Sequence, residues 1–197
     1  MRADGKPKTG AGVAPETYST GARHFHWWTV LLIAIQLPLG IVMVRYAAQT
    51  NWASPTAAMY DSHKLIGLLA LVLVLARLTY RLMHGAPADE PTLEPWQRLV
   101  SHATHWGIYV LLLVVPLLGW LAVSAYGSQR PFGLPVPALV GQSEALYAQL
   151  QTMHKASAIL LAVLVAMHVG AALFHYVVRK DGVLNRMWPG LPRRDGH

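Results

Sequence analysis

Three observations predict an all-α integral membrane protein, a bundle of four spanning helices. They are four long apolar runs, a one-sided distribution of basic residues, and histidines recurring at helical spacing within the runs. The 197 residues are 54% apolar and only 13% charged. A water-soluble fold would have to hide every one of these runs, whereas a bilayer accepts them directly. The runs cover 27–47, 65–82, 106–124 and 155–178, each close to the roughly 20 residues that cross the hydrocarbon. The second reaches that length only by taking in Arg77 and Arg81.

Basic residues orient the bundle. With the N-terminus in the cytoplasm, the inner segments hold twelve (Arg2, Lys6, Lys8, Arg23, Arg77, Arg81, Arg98, Arg179, Lys180, Arg186, Arg193, Arg194) and the outer loops four (Arg45, Lys64, Arg130, Lys155). That asymmetry places both termini of a multi-pass membrane protein in the cytoplasm, with lipid as its first partner. The net charge of +7 is therefore topology. Nucleic-acid binding is not expected, because the cations are split among helix ends instead of clustering with aromatics on one soluble face. The chain has no cysteine, which excludes internal disulfides, thiolate metal sites and iron–sulfur clusters.

The elements follow in order. Residues 1–22 are rich in Gly, Pro and Thr and read as a flexible cytoplasmic segment. A membrane domain over 23–180 opens with a helix starting near Arg23, anchored by Trp27 and Trp28. This first run is too long, and lacks the small-residue cleavage site, for a removable signal peptide. A short outer loop over 49–61 leads into a second helix running inward from His63. Pro87, Pro91 and Pro95 break the inner connection. Residues 96–105 are expected to form a short amphipathic lead-in on the membrane surface before the third helix. The outer loop over 126–151 is the longest connection; Pro131, Gly133, Pro135 and Pro137 forbid a regular helix there, and 142–151 is expected to be a short helix lying over the bundle. The fourth helix returns inward, and 181–197 is a basic cytoplasmic tail.

The histidines carry the chemistry. His154 and His168 lie fourteen residues apart in TMHKASAILLAVLVAMHVGAALFHYVV. Fourteen residues are nearly four helical turns, so both imidazoles leave one face, about 21 Å apart along the axis. His63 begins the second helix at the outer end, and His26 begins the first at the inner end. Depth therefore pairs His63 with His154 and His26 with His168. Two imidazoles facing each other across a bundle core are the arrangement that ligates haem iron from both axial sides. A lone intramembrane histidine commonly bonds a neighbouring helix; four with matched depths point instead to two stacked haems. Gly40 and Gly67 share those faces and would let a flat macrocycle approach the backbone. Arg77 lies fourteen residues after His63, near the inner pair, where a haem propionate would satisfy it. Lys64, Lys155, His105 and His175 are further candidate propionate contacts. His175 is also the rival ligand, two turns beyond His168. His24 is expected at the interface and His84 and His197 in solvent, whereas His102, like His105, is a candidate propionate contact or proton relay.

The ordered stretches HW at 26–27, HKLIG at 63–67, ARLTYRL at 76–82 and SHATHWGIYVLLLVVPLLG at 101–119 resemble the bacterial cytochrome b561 family, in particular its small di-haem members. FGLPVP at 132–137, MHKASAIL at 153–160 and MHVGAALFHYVVRKDGVLNRM at 167–187 continue the resemblance, which covers about 20–188. It implies two haem b groups, the inner on His26 and His168 and the outer on His63 and His154. It also implies an inner-membrane oxidoreductase that exchanges electrons with quinone, and superoxide oxidised at the outer face is a donor within the family. Where the family also places an acidic residue, this chain has Lys155, so the charge beside the outer haem differs.

With both axial positions filled, iron has no open site for oxygen, and one-electron outer-sphere transfer is the chemistry that remains. Lys64, Lys155 and Arg130 form a positive outer patch that would steer an anion such as superoxide toward the His63 and His154 haem. Equally, these cations would hold propionates or face lipid headgroups. No side chain is assigned as a catalytic acid or base. Two other readings compete. One is the cytochrome b anchor of a hydrogenase, formate dehydrogenase or thiosulfate reductase, with a redox protein partner. The other, of a different class, is a histidine-lined proton or metal-ion transporter without haem, which the long aligned spacings disfavour.

Overall fold

The computed structural model describes residues 17–192. Among them there is no strand, and four helices are long and apolar enough to cross a membrane. These are α1 (Thr20–Thr50), α2 (Thr56–His84), α3 (Pro95–Tyr126) and α4 (Glu144–Phe174), the last extended by a π turn over His175–Arg179. The architecture is the four-span bundle expected from the apolar runs. His197 and the first sixteen residues lie outside the described residues.

Local chemistry sets the helix ends. The Ser19 hydroxyl accepts the Ala22 N–H and starts α1 three residues before Arg23. Gly85, Gly127 and Lys180 take positive φ where α2, α3 and the π turn stop. At the head of α3, Glu94 and Gln97 form a reciprocal capping box with Pro95 in the first turn. No breaker follows before Trp106, so residues 96–105 are the opening turns of α3 and not a separate surface helix. Likewise Ser143 caps α4, and 144–151 run without interruption into the spanning part, so no separate helix lies over the bundle. Pro38 and Pro116 sit inside α1 and α3 without ending either helix.

α3 packs along α4 and α1 along α2, with α2 also against α3. Val74, Leu111, Leu112, Val115 and Leu161 form the central core, with Ile33, Ile108 and Leu164 around them. Large apolar side chains such as Leu69, Val72 and Ile159 cover the outside of the helices, where lipid would surround them. Both ends are tied down. At the outer end the Phe132 N–H donates to Asp61 Oδ2 (2.9 Å), the Leu139 N–H to Ser124 Oγ (3.1 Å) and Trp120 Nε1 to the Pro137 carbonyl (2.9 Å). The segment after α4 folds back on the inner end. Trp27 Nε1 donates to the Met187 carbonyl at 3.2 Å, Trp27 and Trp188 meet edge to face, and Arg186 bonds the Ala88 carbonyl.

Candidate cofactor-binding site

Two tiers of histidine stand in the bundle. At the outer tier His63 of α2 faces His154 of α4, with ring centroids 6.2 Å apart and planes at 89°. At the inner tier His26 of α1 faces His168 of α4, with centroids 6.3 Å apart. The pairing by depth is the one the spacing requires. Fourteen residues separate the tiers on every helix: His26 and Gly40, His63 and Arg77, His105 and Gly119, His154 and His168. An integral run of nearly four turns keeps each helix's two positions on one face.

Small residues seat the outer rings. A Cβ on Gly40 would stand 3.1 Å from His63 Cε1, and a Cβ on Gly119 would stand 3.1 Å from His154 Cε1. The His154 ring, let in by Gly119, hydrogen-bonds through Nδ1 to the Val115 carbonyl at 2.9 Å. A carbonyl only accepts, so Nδ1 is the donor and the Nε2 lone pair is free. Gly67, expected to admit a macrocycle, instead makes room for a side chain: its Cβ would lie 3.2 Å from Gln36 Nε2. Gly119, Val115 and Gln36 were not singled out from the sequence. Of these, only Gly119 carried a signal, its fourteen-residue distance from His105.

The inner tier is more polar. Arg77 Nη2 lies 3.1 Å from His26 Nδ1, and its guanidinium rests 5.0 Å from the centre of the Tyr109 ring. A guanidinium only donates, so His26 Nδ1 is the acceptor. His105 packs its ring 5.0 Å from that of His168 and hydrogen-bonds through Nδ1 to the Ser101 carbonyl at 2.6 Å. Beside this tier a cleft of about 70 Å³ opens between Tyr18, Arg81, Ser101, His102 and His105.

Of the remaining candidates, Lys64 and His175 are engaged elsewhere. Lys64 donates to Asp61 (3.1 Å) and Ser128 Oγ (3.0 Å), fastening the outer loop to α2. His175 is bound through Nδ1 to Asp181 at 2.6 Å, and Arg179 closes on the same carboxylate at 3.5 Å. It belongs to the π turn that latches the inner end, and no described contact brings it to either tier. Lys155 and Arg130 are exposed. His102 pairs with Asp89 at 2.9 Å, His84 stacks on Tyr80, and His24 is exposed.

The geometry tests the haem expectation directly. An imidazole nitrogen lies about 2 Å from a first-row metal, so two rings on opposite sides of one iron hold their centroids about 6 Å apart. Both tiers have that separation, and Gly40 and Gly119 keep the outer rings clear of side chains on α1 and α3. The residues fit bis-imidazole ligation.

The family model described as prokaryotic cytochrome b561 matches residues 17–190. Cytochrome b561 homolog 2 of Escherichia coli (strain K12) is 30% identical over 175 residues, 88% of this chain and 92% of that protein. Cytochrome b561 homolog 1 of the same organism is 32% identical over 84% of this chain and 93% of its own length. A protein of Yersinia pestis described as probable superoxide oxidase CybB is 30% identical over 82% of this chain and 90% of its own length.

Proposed function

This chain belongs to the prokaryotic cytochrome b561 family, and we propose that it holds two haem b groups and passes electrons from a one-electron donor at the outer membrane face to quinone. By its membership it is a multi-pass, haem b-binding electron-transfer protein of the bacterial inner membrane. The observation that carries the finer reading is the matched pairing, with ring centroids 6.2 Å apart for His63 and His154 and 6.3 Å for His26 and His168. His63 and His154 would hold the outer haem, and His26 and His168 the inner. Bound haem b supplies a reversible one-electron iron couple. Imidazoles on both sides close the metal to substrate, which favours outer-sphere transfer over oxygen activation.

Arg77 gains its role from the same chemistry. With its Nε2 lone pair committed to a haem, His26 would carry its proton on Nδ1 and could no longer accept from the guanidinium. Arg77 then needs another acceptor, and a propionate carboxylate meets that need with a charge-assisted bond. His105, whose ring lies 5.0 Å from that of His168, uses Nδ1 and not Nε2 for the Ser101 contact.

Superoxide is the favoured donor. The name of the Yersinia relative and the exposed outer cations Arg130 and Lys155 support it. Each superoxide loses one electron and leaves as dioxygen; two electrons and two protons convert one quinone to quinol. The purified protein is expected to contain two haems per chain by pyridine haemochrome and to reduce quinone when supplied with superoxide. His63→Ala and His154→Ala should each remove one haem and stop that reduction. A single haem in the intact protein, or unchanged rates in both variants, rejects the reading.

A further inference from the structure

The two outer-tier rings differ in what orients them. His154 Nδ1 is hydrogen-bonded to the Val115 carbonyl, whereas His63 Nδ1 is shielded from solvent and has no hydrogen-bond partner. One neighbouring residue carries the complementary orphan. The Gln36 amide reaches across from α1 and donates its Nε2–H to the His63 carbonyl at 2.8 Å. Because that carbonyl only accepts, the amide orientation is fixed, and Gln36 Oε1 is an acceptor. It too is shielded and without a partner. A polar amide deep in an apolar span is costly when half its capacity goes unused. Gly67 makes the approach feasible, since a Cβ there would stand 3.2 Å from Gln36 Nε2.

We propose that Gln36 is the positioning residue of the outer ligand His63, its Oε1 accepting the Nδ1–H once Nε2 is committed to iron. The inference rests on reading His63 as a haem ligand. An imidazole bound through Nε2 carries its proton on Nδ1, which turns the unmatched nitrogen into a donor. The acceptor is already held against the same residue by its own amide nitrogen. Ligating histidines almost always give their second N–H to such a partner, which fixes the ring and strengthens it as an electron donor to the metal. A stronger donor favours ferric over ferrous iron. Gln36 thereby holds the outer haem at a lower potential than an unpartnered His63 would.

The test uses the purified holoprotein, with redox titration and the ferric low-spin EPR signals as readouts. Gln36→Met keeps the length and removes the carbonyl; Gln36→Glu keeps an acceptor oxygen. In Gln36→Met the reduction equilibrium of one haem should move about tenfold toward ferrous, about 59 mV for one electron. Its EPR signal should shift as well. The haem affected should be the one missing from His63→Ala, and the other should not move. Gln36→Glu should leave that haem at or below its original potential. Loss of the outer haem from Gln36→Met with retention in Gln36→Glu supports the same bond, read as affinity. Loss from both variants, unmoved potentials in both, or equal shifts of the two haems overturns the proposal and leaves His63 as a ligand. A His63→Ala protein that keeps both haems overturns the ligand assignment instead.

Discussion

A methyl group at position 119 would stand 3.1 Å from His154 Cε1, well inside the roughly 3.5–4.0 Å that carbon atoms prefer. The glycine therefore sets how deeply the His154 ring can enter toward α3, and with it whether Nδ1 reaches the Val115 carbonyl. Gly119→Ala needs a ring displacement of only a few tenths of an ångström, whereas Gly119→Leu fills the seat. The Leu variant is expected to lose the outer haem and keep the inner, measured as half the haem per chain with one of two redox transitions left. Two surviving transitions would show that the seat is not needed. The pairing of the histidines was legible because imidazoles in apolar helices are rare and their spacing fixes face and depth. The orienting groups were not: a backbone carbonyl has no signature in sequence, and Gln36 acquires meaning only when α1 is laid beside His63.

At the scale of the element, the fourteen-residue interval works because α1 to α4 stay continuous between their tiers. The spans were readable from apolar runs, yet the starts of α3 and α4 were not, because amphipathic opening turns resemble separate surface helices until their caps are located. Ser143, and Glu94 with Gln97, place those starts well outside the histidine tiers. Gln97 serves two elements at once. Its Oε1 accepts the Glu94 N–H at 3.0 Å and Arg179 Nη1 at 3.0 Å, so it joins the head of α3 to the π turn after α4. Gln97→Ala should cost about 1–2 kcal/mol, a cap and a bond to a charged group that is partly in water. In detergent this should lower the thermal midpoint by about 2–8 °C. The haem spectrum should be unchanged, because His105, the nearest member of a tier on α3, lies two turns deeper. A spectral change without a stability change would contradict that division of labour.

Over the whole molecule, charge separates two tasks. The inner end concentrates cations that fix topology, and several are spent on structure: Arg179 binds Gln97 and the Thr92 carbonyl, and Arg186 binds Ala88. At the outer end Lys64 is paired with Asp61 and only 17% exposed, which leaves Arg45, Arg130 and Lys155 exposed; of these, Lys155 directly follows the tier residue His154 and Arg130 lies in the long outer loop. Steering by such exposed charges acts over about one Debye length, about 30 Å at 0.01 M salt and 8 Å at 0.15 M. If these two cations guide superoxide, kcat/KM for superoxide-driven quinone reduction should fall several-fold across that range. Charge reversal at Arg130→Glu and Lys155→Glu should each lower it about 3–10-fold at low salt and little at high salt. Haem content should stay as in the parent protein, because neither side chain hydrogen-bonds to a tier histidine. A rate indifferent to both salt and charge reversal would mean that the donor reaches the outer tier without electrostatic guidance, and would favour an uncharged donor over an anion.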